Sequence, residues 1–518
     1  MARKRPNFLF IMADQLAAPA LAAYGHKVTR TPRIDSLAEH GVVFENAYCN
    51  FPICAPSRFS MLTGQLPSRI GAYDNAAEFP SSIPTLMHYL RAAGYQTCLS
   101  GKMHFVGADQ LHGFEERLTT DIYPADFGWT PDWANKKLEY SWSHHMQSVM
   151  EAGTCQRSLQ IDFDEDTCNQ AVQKIYDLAR DLDDRPFFLC VSFTHPHDPF
   201  TCLPEHWERY EHDQIDMPAV PAIPVDKLDP HARRLHFMDS VHRYNVTEDV
   251  VRTARHAYYG MISYVDDLTG RLMSALHRAG LAEDTIIVFT GDHGEMMGER
   301  GMWYKMTFYE WSARIPLIIH APMLFGPRRV KENVSLVDLL PTILDLATDG
   351  RMPELIDPVD GNSLLKLIHG EADGWPDLVL SEYLAEGALD PILMLKRGTK
   401  KFVYSETDGA MLFDLATDPH ELDDLAKKPE HKDEVAQLTA EVGKHWDYAE
   451  LNRRVIESQN RRLFIHDVLL KGRYTPWDWQ PRRDASQMYV RNTGVDEDVV
   501  KGRARLPFVP ERKPDFPA

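Results

Sequence analysis

Three short polar motifs combine residue types that could share one piece of chemistry: Asp14-Gln15, "THPHDPF" at 194–200 and "GDHGE" at 291–295. Asp14 and Asp292, with the imidazole of His293, make an oxygen and nitrogen donor set suited to a hard or borderline divalent ion. A lone aspartate after a strand is as readily a helix N-cap, so Asp14 counts only in company with the other two. A fourth stretch, "PICAPSRFSMLTG" at 52–64, sets one cysteine, Cys54, beside Pro56 and Arg58 at what reads as a helix start. Pro56 suits the first helical position, and the free amides there, reinforced by the Arg58 guanidinium, would bind an anion. A thiolate nucleophile would suit the same setting, against the ordinary alternative of a cysteine buried as a small hydrophobe.

Each of the first three motifs follows an apolar run: 7–13 ("NFLFIMA"), 186–193 ("PFFLCVSF") and 285–290 ("TIIVFT"), with a fourth run, "IPLIIHA", at 315–321. Runs without polar alternation are expected of parallel strands covered by helices on both faces. Between them lies helical spacing, as in Tyr258, Met261, Ile262, Val265, Leu268, Leu272 and Leu276, closed by Gly280, and again from Pro84 to Ala93. The expected fold is an α/β sheet sandwiched by helices, whose ligand crevice lies at the carboxyl ends of the strands, where the motifs would converge. After about residue 375 the pattern changes to hairpin strands in 391–406 and 410–418 and one helix over 434–450. The expected division is a catalytic α/β domain at 1–375, an α+β part at 376–485 and an extended arm at 486–518, rich in Pro and charge.

The chain has 518 residues, 44% of them hydrophobic and 25% charged, which allows one large α/β core with an appended piece. A net charge of −20 argues against broad binding to nucleic acid or an anionic membrane, both of which want a basic face. It does not exclude a small anion held in a locally positive pocket. The seven cysteines are widely spaced and odd in number, which fits reduced thiols in a cytoplasmic protein rather than a disulfide framework or a cysteine metal site. The basic N-terminus precedes an apolar run too short for a signal peptide, and no segment is long enough to span a bilayer.

"CAPSRFSMLTG" resembles the signature of type I sulfatases, and "GYQTCLSGKMH" at 94–104 resembles the second signature of the same family. The stretch at 110–133, "QLHGFEERLTTDIYPADFGWTPDW", together with "THPHDPF" and "VRNTGVDED" near the end, is similar to the choline sulfatases among them. The resemblance implies an alkaline-phosphatase-like fold: a mixed, largely parallel sheet sandwiched by helices, with a smaller α+β C-terminal part. It also implies that a maturation enzyme oxidises Cys54 to Cα-formylglycine. The hydrate of that aldehyde would attack sulfur, and collapse of the sulfated intermediate would then expel sulfate. By the same resemblance Asp14, residue 54, Asp292 and His293 hold one divalent ion, calcium first, with manganese or magnesium as alternatives. Arg58 orients the formylglycine, Lys102 neutralises sulfate charge and His104 opens the intermediate. His197, with His195 as its rival, and Lys305 face the bridging oxygen, and Asn75 donates to a sulfate oxygen. Gln15 and His293 stand where many sulfatases have Asp and Asn.

The implied substrate is a small sulfate ester with a quaternary ammonium, which cannot donate hydrogen bonds and is recognised by aromatic faces and carboxylates. Trp129 is the first aromatic candidate, ahead of Trp142 and Tyr123; Glu386 and Asp496 are candidate counter-charges. An isolated tryptophan is as often core packing, and an acidic tail residue is usually only solvated. Resemblance to oligomeric choline sulfatases implies a homodimer or tetramer in which the arm reaches a neighbour's pocket. The readings set against this are a phosphonate monoester or phosphodiester hydrolase with sulfatase side activity, and a non-catalytic protein that binds sulfate esters.

Overall fold

A computed structural model describes residues 5–134, 146–181, 183–351, 354–474 and 476–479. Trp142, Asp496 and the whole 486–518 arm lie outside them. Strand β1 (Asn7–Ala13) is buried at every position and pairs in parallel on both sides. One partner is β5 (Phe187–Phe193) and the other is β6 (Thr285–Gly291), both also buried throughout. Between β1 and β5 in the chain come β2 (Val42–Tyr48), β3 (Gln96–Gly101) and the short β4 (Glu116–Arg117); after β6 come β7 (Leu317–His320) and β8 (Arg328–Ser335). The sheet order is β8-β2-β7-β6-β1-β5-β3-β4. The three central strands end in register, Ala13 opposite both Phe193 and Gly291, so the residues that follow them emerge side by side.

The fourth apolar run departs from the parallel pattern. Pro316 divides it, the short Arg314–Ile315 segment pairs with β2, and β7 runs antiparallel to both β6 and β2. Proline has no amide to give to a ladder, so the run breaks at that residue.

Helices cover both faces. On one side lie α1 (Pro32–His40), α4 (Leu159–Arg180) and the long α5 (Glu248–Arg278); on the other lie α2 (Cys54–Thr63), α3 (Leu86–Ala92) and α6 (Leu339–Thr348). α5 carries the stripe read from the sequence, with Tyr258, Met261, Ile262, Val265, Leu268, Leu272 and Leu276 all buried. α2 starts at Cys54 itself, which puts Pro56 at the third helical position rather than the first. That is tolerated because the first four amides of a helix have no partner within it. α2 stops at Gly64, whose φ of 66° closes the helix by donating to Ser60 O at 2.8 Å.

Strands β9 (Leu378–Tyr383), β10 (Ile392–Arg397), β11 (Lys400–Ser405) and β12 (Gly409–Asp414) form an antiparallel meander in chain order. The single helix expected over 434–450 is two, α7 (Lys432–His445) and the 22-residue α8 (Tyr448–Leu469). Asp447 breaks the run by capping α8, its side chain accepting from Glu450 N. Among the described residues no helix is long and apolar enough to cross a membrane.

Candidate active site

The loops after β1, β3, β5 and β6 meet the N-terminus of α2. Asp14 and Gln15 follow β1, Lys102 and His104 follow β3, His195 and His197 follow β5, and Asp292 and His293 follow β6. Gly101 makes the β3 exit possible. It sits at φ 102°, and a Cβ there would lie 2.0 Å from Ser192 O on the adjacent strand. Gln15 (φ 63°) and His104 (φ 58°) also hold left-handed backbone, which costs a residue with a side chain of order 1 kcal/mol.

Asp14, Cys54, Asp292 and His293 are all buried, and one ligand atom from each lies within 4.8 Å of the others. Cys54 Sγ is 3.2 Å from His293 Nε2 and 3.7 Å from Asp14 Oδ1. The other nitrogen of His293 contacts Gly294 O at 3.0 Å, which turns Nε2 toward the cluster. Burial, together with nearby Lys305 and against the pull of Asp292, brings this imidazole down to about 4, leaving it neutral as a metal ligand must be. Although burial opposes it, the charges of Lys102 and Arg58 hold the Asp14 carboxyl well below the usual carboxylate range. The donor set fits a single divalent ion: two carboxylates, a neutral imidazole and the side chain at position 54.

Cationic groups surround this cluster. Arg58, wholly buried, donates from Nε to Asp292 Oδ2 at 2.8 Å and from one terminal nitrogen to Lys102 O at 2.7 Å and Ser192 Oγ at 2.9 Å. Its other terminal nitrogen is 3.8 Å from Asp14 and makes no hydrogen bond. Lys102 Nζ donates to Asp14 Oδ2 and sits 4.0 Å from the centre of the Tyr123 ring. Lys305 Nζ donates to Gln15 Oε1 at 2.6 Å and contacts His197 Nε2 at 3.0 Å. Gln15 thus commits its amide oxygen to Lys305, and its amide nitrogen donates to Glu295. Burial, with the Asp14 charge added, pushes the Cys54 thiol up to about 12. An unmodified cysteine here is a thiol, not the thiolate nucleophile that its sequence setting allows.

A cavity of about 390 Å³ opens from Cys54 and is lined by Asn75, His104, Tyr123, Trp129, His197 and Glu386, among others. Asn75 Oδ1 accepts from Ala55 N at 2.9 Å, so its NH₂ group is left for the cavity. Both nitrogens of His104 are buried without a partner. Burial and the Lys102 charge bring this imidazole down to about 3, so it is neutral. Trp129 stands edge-on to His104 and Tyr123, at 5.6 and 5.4 Å between ring centres. Glu386, 7% exposed, is raised to about 7 by burial and the charge of Asp74.

His195 is elsewhere, paired through Nδ1 with Asp164 at 2.6 Å, while His197 lines the cavity. The site-residue candidates of the sequence thus gather around one cavity, with Asp496 outside the described residues. Asp198 also lines the cavity, and it stands inside the quoted "THPHDPF" motif. Gln160 and Leu159, at the N-terminus of α4, line it too and carry no motif.

The sulfatase family model matches residues 6–349, and two C-terminal models match as well: "choline sulfatase enzyme C terminal" at 453–506 and "N-sulphoglucosamine sulphohydrolase, C-terminal" at 298–447. A choline-sulfatase of Rhizobium meliloti is 45% identical over 98% of this chain and 99% of its own. Among solved structures, a phosphonate monoester hydrolase of Silicibacter pomeroyi superposes with a TM-score of 0.68 at 25% identity, over 85% of this chain and 95% of that one. Its counterpart from Agrobacterium radiobacter gives 0.67 at 23%, over 87% and 96%, and bears on the fold alone. The mixed, largely parallel α/β fold that the resemblance implied is the one observed. The strand-end loops, the α2 N-terminus and the full-length match agree: this chain belongs to the sulfatase family of sulfuric ester hydrolases, in the group that also carries the choline-sulfatase C-terminal segment.

Proposed function

We propose that this enzyme hydrolyses choline O-sulfate to choline and sulfate, with Cys54 oxidised to Cα-formylglycine by a maturation enzyme. The observation that carries the reading is one cavity whose lining combines cationic groups with an aromatic face and a carboxyl. Arg58, Lys102 and Lys305 gather around the Cys54 cluster, and Trp129 and the Glu386 carboxyl line the same cavity. That combination matches a zwitterion carrying a sulfate ester and a quaternary ammonium.

Asp14, residue 54, Asp292 and His293 would hold the divalent ion, calcium in this reading, with manganese and magnesium as alternatives. When bound, the ion supplies Lewis-acid activation and neutralises charge at the nucleophile. The formylglycine hydrate would supply one hydroxyl, deprotonated beside the bound ion, as the nucleophile toward sulfur, and a second whose deprotonation would let the C–O bond to sulfate break and restore the aldehyde. Arg58, fixed by Asp292 and Ser192, orients residue 54. Lys102 offsets the charge of the sulfuryl oxygens, Lys305 faces the bridging oxygen beside His197, and the Asn75 amide donates to a sulfuryl oxygen. His197, contacted by Lys305, protonates the departing choline oxygen, and the neutral His104 takes the proton of the second hydroxyl. Tyr123 already carries Lys102 against its ring, so Trp129 is the aromatic face left for the ammonium.

The division at residues 375 and 485, a homodimer or tetramer closed by the arm, and a cytoplasmic location in keeping with seven free cysteines belong to the same proposal. A phosphonate monoester or phosphodiester hydrolase is the second reading, favoured by the fold similarity above. The test is the specificity constant of mature enzyme on choline sulfate, 4-nitrophenyl sulfate and phenyl phosphonate esters, with peptide mass spectrometry across position 54. Choline sulfate is expected to lead by at least about 30-fold, the scale of one desolvated cation–π contact of about 2 kcal/mol. A lead for the phosphonate esters sinks the proposal, and an unconverted Cys54 in active enzyme sinks its nucleophile.

A further inference from the structure

The buried face of α8 begins as ordinary packing, with Leu451 and Val455, and then turns polar at Gln459 and Arg462 on the same stripe. Both are almost wholly buried, at 1% and 5% exposure. A helix that only packed would continue that stripe with apolar residues, because desolvating a guanidinium is costly unless it is paired. Each of these two side chains instead reaches a loop that lines the candidate cavity.

Arg462 grips Asp74 with both terminal nitrogens, at 2.6 Å each, across 388 residues of chain. Asp74 is itself fully buried, accepts from Ala76 N at 2.9 Å, and precedes Asn75. One of the same nitrogens donates to Thr130 Oγ1 at 3.2 Å. Thr130 closes a turn onto Phe127 O, by its hydroxyl at 2.8 Å and its amide at 3.2 Å, and Trp129 lies within that turn. Gln459 Oε1 accepts from Trp133 N at 3.0 Å, and Trp133 Nε1 donates to Ala385 O at 3.0 Å, next to Glu386. Asn75, Trp129 and Glu386 come from three separate parts of the chain, and all line the one cavity.

We infer that Arg462 and Gln459 are positioning residues that fix the Asn75, Trp129 and Glu386 loops to one rigid helix and so set the distance between the sulfate end and the cation end of the pocket. The inference rests on the choline sulfate reading for the identity of the cation. Neither side chain touches the substrate. The bidentate fork of Arg462 holds two loops at once, which a lysine cannot reproduce.

The experiment compares the full-length mature enzyme with Arg462→Met, Arg462→Lys, Gln459→Met and the double variant Asp74→Asn/Arg462→Met. For each, kcat and KM are measured on choline sulfate and on 4-nitrophenyl sulfate, together with the thermal midpoint. In Arg462→Met the choline sulfate specificity constant is expected to fall about 10- to 100-fold, mainly through KM, with a smaller loss on the aryl ester. Arg462→Lys is expected to recover part of that loss, and Gln459→Met to lose several-fold on choline sulfate. Arg462→Met leaves Asp74 buried and uncompensated, so its midpoint falls too. The double variant removes that burden: its midpoint is expected to recover while its preference for choline sulfate stays reduced. If preference returns together with the midpoint, or if both substrates lose equally in every variant, the pair is only structural and the inference is overturned. Should Arg462→Met not fold, the Lys, Gln459 and double variants decide by the same criterion. A wild-type enzyme with no preference for choline sulfate overturns the substrate reading instead, a result read without any variant.

Discussion

At the scale of single residues the site is a set of groups whose protonation the fold has prearranged. Burial and Lys102 keep His104 neutral, while the Lys102 and Arg58 charges keep Asp14 ionised, so a neutral imidazole and a carboxylate coexist in one buried space. Glu386 sits at the edge of this arrangement, raised to about 7 by burial and then by Asp74. Only its ionised form attracts a quaternary ammonium, and choline sulfate itself has no group that titrates near neutrality. The KM for choline sulfate should therefore fall as pH rises through about 7, by up to about 10-fold for a shift of this kind. Glu386→Gln should bind weakly at all pH values and lose that dependence. A Gln variant that keeps the wild-type KM profile would exclude Glu386 as the counter-charge.

At the scale of elements, loops at strand ends are held from behind by buried polar contacts. Glu382, at the end of β9, accepts from Ser68 N at 2.8 Å, Ser68 Oγ at 2.5 Å and Trp446 Nε1 at 2.5 Å, tying the segment after α2 to the C-terminal meander and α7. Burial still raises its carboxyl from 4.5 to about 7, outweighing the hydrogen bonds that lower it. A carboxyl raised on folding binds more protons in the folded chain than in the unfolded one. Its contribution is therefore fully present below about 4.5 and is lost as pH rises through about 7. The loss is at most about 3 kcal/mol from this one group. Glu382→Gln should show a smaller drop in thermal midpoint than the wild type between about pH 5 and about pH 8. Equal drops in the two proteins would assign the pH dependence to other groups.

At the scale of the whole molecule, a chain with a net charge of −20 surrounds a pocket whose chemical end is cationic. An anionic ester approaches against that field, whereas choline sulfate, which carries one charge of each sign, does not. Raising ionic strength screens the repulsion within a Debye length of about 10 Å at 0.1 M. The specificity constant for 4-nitrophenyl sulfate should rise with salt, and that for choline sulfate should change little. If salt moves both constants together, long-range charge plays no part in selecting the substrate.

Much of this was legible from local pattern. The largely apolar runs at 7–13, 186–193 and 285–290, each followed by a polar motif, pointed to parallel strands ending at a shared crevice, and the residues around Cys54 marked a helix start. Other features depended on partners far away in the chain. The fourth run lies antiparallel because its partners across the sheet are β6 and β2, which lie far from it in sequence. Neither the grip of Arg462 on Asp74 nor the choice of His197 over His195 could be read from spacing, because both depend on which buried group lies opposite. The sequence by itself determined which residue types and strand ends could do chemistry, since backbone propensity and burial pattern are local. Only the tertiary structure decided which of them face one another, because hydrogen bonding and desolvation act across space rather than along the chain.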